Sequence, residues 1–144
     1  MQYTTRYVVS FFALILCLGL LLTGSVPQVN SGSWVSAGNM LQPRTGAASV
    51  QLQDGRILII GGTGNDGVLS SAEIYDHNGN FSSTAPMDFP RTHHSAVVLK
   101  DGRVLVTGGM TAGDGITNAV EIYDPSNNSW SSLAGGMLEA RTGH

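Results

Sequence analysis

Apolar residues along this chain fall into short runs that are separated by turns rich in glycine and polar side chains. After residue 33, each run is too short for a typical helix and has the length of a β-strand. Asp54-Gly55 and Asp101-Gly102 each place a tight hairpin turn between two runs. The pattern predicts two sets of four strands, at residues 47–51, 56–60, 72–76 and 80–84, and at residues 95–99, 103–107, 118–124 and 129–133.

One predicted strand, Ile57–Ile60, is apolar at every position. Successive side chains of a strand point to opposite faces, so this strand is buried on both. A single open sheet would leave the isoleucines of one face in water, at a cost of about 1.5–3 kcal/mol each. The pattern therefore favours sheets that pack face to face.

The two sets of strands are copies of one motif. Arg44, Asp54-Gly55-Arg56 and Gly61-Gly62 recur 47 residues later as Arg91, Asp101-Gly102-Arg103 and Gly108-Gly109. A third copy begins at Arg141, 50 residues after Arg91, and reaches His144. A fixed period near 50 in a β-rich chain indicates a propeller or solenoid, whose repeats bury their cores against each other.

The repeat region spans residues 34–144, with one blade at 44–85 and a second at 91–134. Partial strands are predicted at 34–40 and 141–144. The first resembles the fourth strand of the second set, with Trp34 at the position of Trp130, and the second is the start of the third copy. An outer strand that comes first typically completes the last blade of a closed ring, so we expect that blade to be encoded after His144. Residues 26–33 are a linker.

The N-terminus has the features of an export signal. Arg6 precedes an almost wholly apolar stretch at residues 7–22, and small residues at 23–25 are followed by Pro27. The stretch is shorter than the ~20 residues of a relaxed membrane-spanning helix. We predict a signal peptide over residues 1–25 and a secreted, periplasmic or cell-surface location. The alternative is an uncleaved hydrophobic helix that anchors the protein in a membrane through residues 7–22.

Composition excludes several kinds of site. Cys17, the only cysteine, lies in the apolar stretch, so the mature chain has no disulfide, zinc-thiolate site or cysteine nucleophile. Net charge is −3 and only 12% of residues are charged, without a basic stripe. Nucleic acid is therefore not an expected partner.

Arg44, Arg91 and Arg141 recur just before the first strand of each copy. A ring of arginines at one face is a candidate site for an anionic ligand, because a guanidinium binds a carboxylate through two hydrogen bonds. The structural alternative is an ion pair with Glu73 or Glu121, which recur in the third strand and need a partner if they are buried.

Other candidate ligand-face residues are particular to one copy. His94 shares its position with His144, which favours packing or hydrogen bonding, whereas His93 stands where the other copies have glycine. Asn65, Asp66 and Asp114 lie in connections that differ between the copies, and such loops carry specificity. No catalytic residue, metal ligand or cofactor site is predicted.

The motifs Arg-x-x-His-Ser, Asp-Gly-Arg-Val, Gly-Gly and Glu-Ile-Tyr-Asp-Pro, followed by Trp, resemble the Kelch repeat. The version is similar to that of bacterial secreted proteins and of the central domain of galactose oxidase. The resemblance implies an all-β propeller of roughly six or seven four-stranded blades, of which this chain holds about two. If the chain ended at His144, copies would have to self-associate to close a ring.

The resemblance to galactose oxidase raises copper-radical chemistry, which there uses a tyrosine crosslinked to a cysteine. The mature chain lacks a cysteine, so these residues do not support that reaction. The expected function is a non-catalytic module that binds a protein or glycan at or outside the cell surface. Two alternatives stay open: the N-terminal part of a secreted carbohydrate-active propeller enzyme, similar to galactose oxidase or sialic acid mutarotase, and a truncated fragment without function.

Overall fold

The computed structural model describes residues 36–144, and Ala37–His144 form one compact unit. All regular elements in this part of the chain are strands. They are β1 (Ala48–Gln51), β2 (Ile57–Ile60), β3 (Thr63–Gly64), β4 (Gly67–Val68), β5 (Ala72–Tyr75), β6 (Phe81–Ser83), β7 (Ser95–Val98), β8 (Val104–Thr107), β9 (Val120–Asp124) and β10 (Ser129–Ser132). The eight longer strands lie where the sequence pattern predicts them.

Two antiparallel four-stranded sheets make up the fold, with strand order β1-β2-β5-β6 in blade 1 and β7-β8-β9-β10 in blade 2. The predicted all-β fold with two four-stranded blades is confirmed. One difference lies in the connection after β2, expected as a loop, where β3 and β4 pair as a small hairpin. Asn65 and Asp66 form its two-residue tip, before Gly67 with a φ of 118°.

The connections of each blade alternate between its two ends. The turns between first and second strands and between third and fourth strands, residues 52–56, 76–80, 99–103 and 125–128, form what we call the turn end. The longer connections, residues 61–71 and 108–119, lie at the opposite end with the segments that enter or leave a blade, residues 37–47, 84–94 and 133–144. We call this the loop end.

The hydrophobic core lies between the two blades. Leu58 and Ile60 of β2 are fully buried against blade 2, and Val104 and Val106 of β8 are fully buried against blade 1. On the opposite face of each blade, β2 and β8 are only half-buried. The blades therefore pack face to face as predicted. The expectation that β2 is buried on both faces is wrong for the described residues: Ile57 and Ile59 are half-buried, because residues 36–144 contain a neighbouring blade on one side only.

Blade 2 also holds the segment that leaves blade 1. The indole N–H of Trp130 donates to the carbonyl oxygen of Ala85 at 2.8 Å, and the amide of Ala85 donates to Asn128 at 3.0 Å. Trp130 packs on Tyr123, its partner across β9 and β10, with ring centroids 5.0 Å apart. The backbone N–H and C=O of Ala85 are thus both bound by blade 2, through β10 and the turn that precedes it.

The glycine doublets allow close backbone contact between repeats. Gly61 and Gly108 have φ values of 57° and 65°, and a Cβ there would collide with the carbonyl oxygens of Arg91 and Arg141. The next residue, Gly62, donates its amide to the Arg91 carbonyl at 2.9 Å. Positive φ and close backbone approach, the two usual reasons for glycine at a position, therefore both apply.

The predicted signal peptide, linker, hydrophobic helix, Cys17 and Trp34 lie outside the described residues. Residues 36–144 contain no helix that could cross a membrane. The parts of the predicted partial strands that are described, 36–40 and 141–144, form no strand. Thr142 and Gly143 donate to the His93 carbonyl, each at 3.0 Å, which repeats the contacts that Thr92 and His93 make with the Gly46 carbonyl at 3.3 and 2.8 Å.

Replacing Gly61 with alanine tests the close contact. We expect Gly61→Ala to lower the free energy of unfolding by about 3 kcal/mol, because the methyl group adds a backbone collision to the strain of positive φ. Gly113→Ala is the control: its φ is 79°, but its Cβ would meet nothing within 4 Å, so strain alone should cost about 1 kcal/mol. Equal losses in urea denaturation of the two variants would contradict the contact.

Candidate functional site

Arg91 joins the two blades. Its backbone carbonyl binds blade 1 through Gly62, while its fully buried side chain reaches into blade 2. There the guanidinium donates to the carbonyl oxygens of Gly108 at 3.1 Å and Ala119 at 3.0 Å, and forms an ion pair with the buried Glu121. Burial lowers the pKa of Arg91, and the adjacent Glu121 carboxylate opposes that shift.

Arg44 makes the same contacts in blade 1. It donates to the carbonyl oxygens of Gly61 at 2.8 Å and Ser71 at 3.0 Å, and its ion pair with Glu73 measures 2.5 Å. Glu73 also accepts the backbone amides of Leu41 and Gln42, at 2.8 and 3.0 Å. Arg44 and Arg91 thus form the structural ion pairs that were the alternative to a ligand site. Their side chains lie beneath the loop end.

Arg141 differs from the other two arginines. Its carbonyl accepts the amide of Gly109 at 2.9 Å, which repeats the contact of Arg91 with blade 1. Its side chain is exposed and forms no ion pair within residues 36–144, which contain no third blade for it to enter. Of the three arginines, only Arg141 leaves a guanidinium at the surface of the loop end.

His93 occupies a backbone position that favours glycine. Its φ is 53°, and the equivalent Gly46 and Gly143 have φ values of 65° and 64°. The amide of His93 donates to Gly46 at 2.8 Å, and Gly143 donates to His93 at 3.0 Å, so these positions link successive repeats. An L-residue in this region costs roughly 1–2 kcal/mol. The His93 side chain is nevertheless exposed at the loop end, with Nδ1 3.2 Å from the Thr92 hydroxyl.

His94 is buried, and its two ring nitrogens have no hydrogen-bond partner in the described part of the chain. The equivalent His144 places Nε2 3.1 Å from the hydroxyl of Thr107 in blade 2. Blade 1 has Ile60 at the position of Thr107, so the hydroxyl that pairs with His144 has no counterpart for His94. Desolvation, followed by the nearby Arg91 and His93, lowers the pKa of His94 to about 4.

The remaining candidates lie at the tips of the two long connections. Asn65 and Asp66 are exposed at the tip of the β3–β4 hairpin. Asp114 is exposed with a φ of 61°, in a loop that Thr111 closes by donating its amide to Gly115 at 2.7 Å. The structure therefore places Asn65, Asp66 and Asp114 at the loop end, where His93 and Arg141 are also exposed.

The loop end also has apolar residues that sequence reasoning missed. Leu41, Phe89, Ile116, Leu133 and Leu138 are 47% to 103% exposed. Phe89 and Leu133 line a groove of about 380 Å³ that also contains Val120 and the Ala134-Gly135-Gly136 segment. One available signal was the comparison of copies, since Phe89 stands where the others have Gln42 and Glu139.

The turn end has a second groove, of about 400 Å³, between the two Asp-Gly-Arg turns. Its main charges are paired: Asp54 lies 2.7 Å from Arg56, and Asp101 lies 2.8 Å from Arg103. Hydrogen bonds from these arginines lower the pKa of both carboxyls. The turn end is therefore polar and largely satisfied by its own contacts. Within residues 36–144, no group of three His, Cys, Asp or Glu side chains is arranged to hold a metal ion.

Protonation of His94 should destabilise the fold. Its pKa is about 4 when folded and about 6.5 when unfolded, so the unfolded chain binds the proton more tightly. Stability should therefore be complete above about pH 6.5 and fall by about 3 kcal/mol as the pH drops to 4. Urea denaturation between pH 4 and 8 measures this. The His94→Gln variant should lose most of the dependence, and the control His77→Gln should keep it; identical profiles would contradict the assignment.

Comparisons with known proteins agree with this architecture. A family model described as the Kelch motif matches residues 90–137. No curated protein sequence matches the chain. Among solved structures, 136 chains match. One is a fungal alcohol oxidase of the AA5 family in complex with copper, with a TM-score of 0.55 and 26% identity.

That match covers 65% of this chain but only 19% of the oxidase chain. The present sequence therefore spans about a fifth of that protein, and the copper belongs to the oxidase. Together, the family match and the two stacked four-stranded sheets confirm the resemblance inferred from the repeats. Residues 37–144 thus form two stacked four-stranded blades of the β-propeller type, and residues 90–137 within them match the Kelch motif.

Proposed function

We propose that this chain is a non-catalytic binding module and that its loop end contacts a protein partner. The observation that carries the proposal is the position of the exposed apolar side chains. Of the six large apolar residues that are exposed in residues 36–144, five lie at the loop end and the sixth, Val97, lies on a strand of blade 2. Exposed apolar groups that share one surface are typical of protein contact sites.

For Phe89, the exposure is not caused by an open edge of the fold. It lies in the segment between blade 1 and blade 2, both of which are present, yet its side chain is 48% exposed. Its groove is large enough for an apolar side chain of a partner, and a buried aromatic anchor is the usual centre of a protein interface. A glycan ligand is the less favoured occupant, because five of the exposed groups are apolar.

The alternative is that the chain belongs to a secreted oxidase, by similarity to the copper-bound alcohol oxidase. We favour the non-catalytic function because the titratable groups of the two described blades do not converge. Arg44, Arg91, Glu73 and Glu121 neutralise each other beneath the surface, and His94 is buried against Gly61. The exposed Asp66 and Asp114 lie at the tips of separate loops.

The protein partner should bind through Phe89 and Leu133. Peptides selected from a random library on the full chain should lose at least about tenfold in affinity when these residues are replaced by serine. The matched control is Val97→Ser, which removes an exposed apolar side chain outside the loop end. Peptides that bind both variants equally would place the site elsewhere. Selective binding of the chain to one oligosaccharide on an array would instead favour a glycan ligand. Turnover of a sugar would favour the enzyme.

We also propose export through residues 1–25. Alkaline phosphatase fused after residue 33 should be active in a bacterial host, because this enzyme needs the oxidising periplasm to form its disulfides. Replacing Leu14 and Leu16 with lysine should abolish the activity by interrupting the apolar stretch. Equal activity of the two fusions would contradict export through this segment. Recovery of the active fusion in the soluble fraction would indicate a cleaved signal, and recovery in the membrane fraction would indicate an uncleaved anchor.

A further inference from the structure

The charged side chains at the loop end are mostly acidic. Its exposed carboxylates belong to Asp66, Asp88, Asp114 and Glu139, and its one exposed guanidinium is that of Arg141. None of the four carboxylates takes part in an ion pair within residues 36–144. The same surface thus combines unneutralised negative charge with exposed apolar groups.

At the turn end, by contrast, the carboxylates have structural contacts. Asp54 and Asp101 are paired with arginines. Asp76 accepts the backbone amides of Asn78 and Asn80, both at 2.8 Å, and Asp124 accepts the amide of Ser126 at 2.9 Å. The contacts of each of these carboxylates therefore stabilise a turn.

The loop-end carboxylates have few such contacts. Asp88 accepts the hydroxyl of Ser132 at 2.6 Å. Asp66, Asp114 and Glu139 make no side-chain hydrogen bond in the part of the chain that the structure describes. Carboxylates without a structural contact, at the same end of the blades as the exposed apolar groups, leave a field that attracts cations and repels anions.

We infer that the segment of the partner that binds the loop end combines basic and apolar side chains. This inference rests on the proposed function, because it specifies the partner of the same surface. Apolar side chains of the segment occupy the groove between Phe89 and Leu133, and its lysines or arginines approach the carboxylates at the same end of the blades. A partner with an acidic contact segment is excluded by like-charge repulsion, so the carboxylates supply selectivity more than affinity.

Three synthetic peptides of equal length test this inference. They carry the same leucine and phenylalanine positions, with lysine, glutamate or serine at the positions between them. Fluorescence anisotropy on the full chain should show the lysine peptide binding at least about tenfold more tightly than the glutamate peptide. The difference should shrink when the salt concentration rises from 50 to about 500 mM, because exposed charges are screened.

Two protein variants with the same change in net charge locate the effect. The double variant Asp66→Asn with Asp114→Asn should bind the lysine peptide about fivefold more weakly. Asp76→Asn with Asp124→Asn is the control at the turn end, where asparagine keeps the turn-forming oxygen, and it should leave binding unchanged. Urea denaturation should confirm that both double variants are folded.

The outcomes separate the inference from the proposal beneath it. If the serine and lysine peptides bind equally and still require Phe89, the loop end is a binding surface but the basic partner is wrong. If the two double variants weaken binding equally, the effect comes from net charge and the inference fails. If none of the peptides binds, or if binding does not change on Phe89→Ser, the proposed surface itself is wrong.

Discussion

The buried ion pair between an entering arginine and a third-strand glutamate is the contact on which the rest of this fold depends. Arg91 and Glu121 have no exposed side-chain surface, and Arg44 and Glu73 are almost as buried. A buried pair adds little stability over an apolar pair, but removing one partner costs about 3–5 kcal/mol because it leaves a charge without compensation. The pair therefore acts chiefly by fixing where the entering segment lies. Only one register brings the guanidinium to the carboxylate and to two backbone carbonyls at once.

The glycine doublets follow from that placement. Arg91 can enter blade 2 only while its backbone lies against blade 1, and its carbonyl then occupies the space that a Cβ on Gly61 would need. The same contact recurs between Arg141 and Gly108. Two blades thus share one linker, and the apolar faces of β2 and β8 meet because that linker holds them together. Stability in such a fold is a property of neighbouring repeats rather than of one blade.

Most of the fold could be predicted because the repeat unit occurs twice in the sequence. Eight strands, the hairpin turns and the stacking of the blades follow from the period, the Asp-Gly turns and the doubly apolar Ile57–Ile60. The pairing of Arg44 with Glu73 was one of two alternatives, since a sequence does not tell whether a recurring arginine faces the interior or a ligand. The β3–β4 hairpin was missed because its strands are only two residues long. The groove beside Phe89 was missed because it depends on which side chains the packing leaves exposed.

Differences between the copies identify residues that the packing of the blades does not explain. At equivalent backbone positions, a residue that the fold requires recurs, as Arg44 and Arg91 do. His93 replaces a glycine despite an unfavourable φ, and Phe89 exposes an aromatic ring where the other copies have polar side chains. Neither substitution benefits the packing of the blades, because equivalent residues elsewhere satisfy the same backbone without strain or exposed apolar surface. Both lie at the loop end, whereas the turn end repeats its Asp-Gly-Arg turns unchanged. On the proposed function, contacts that the loop end makes outside its own chain account for the physical cost of these two residues.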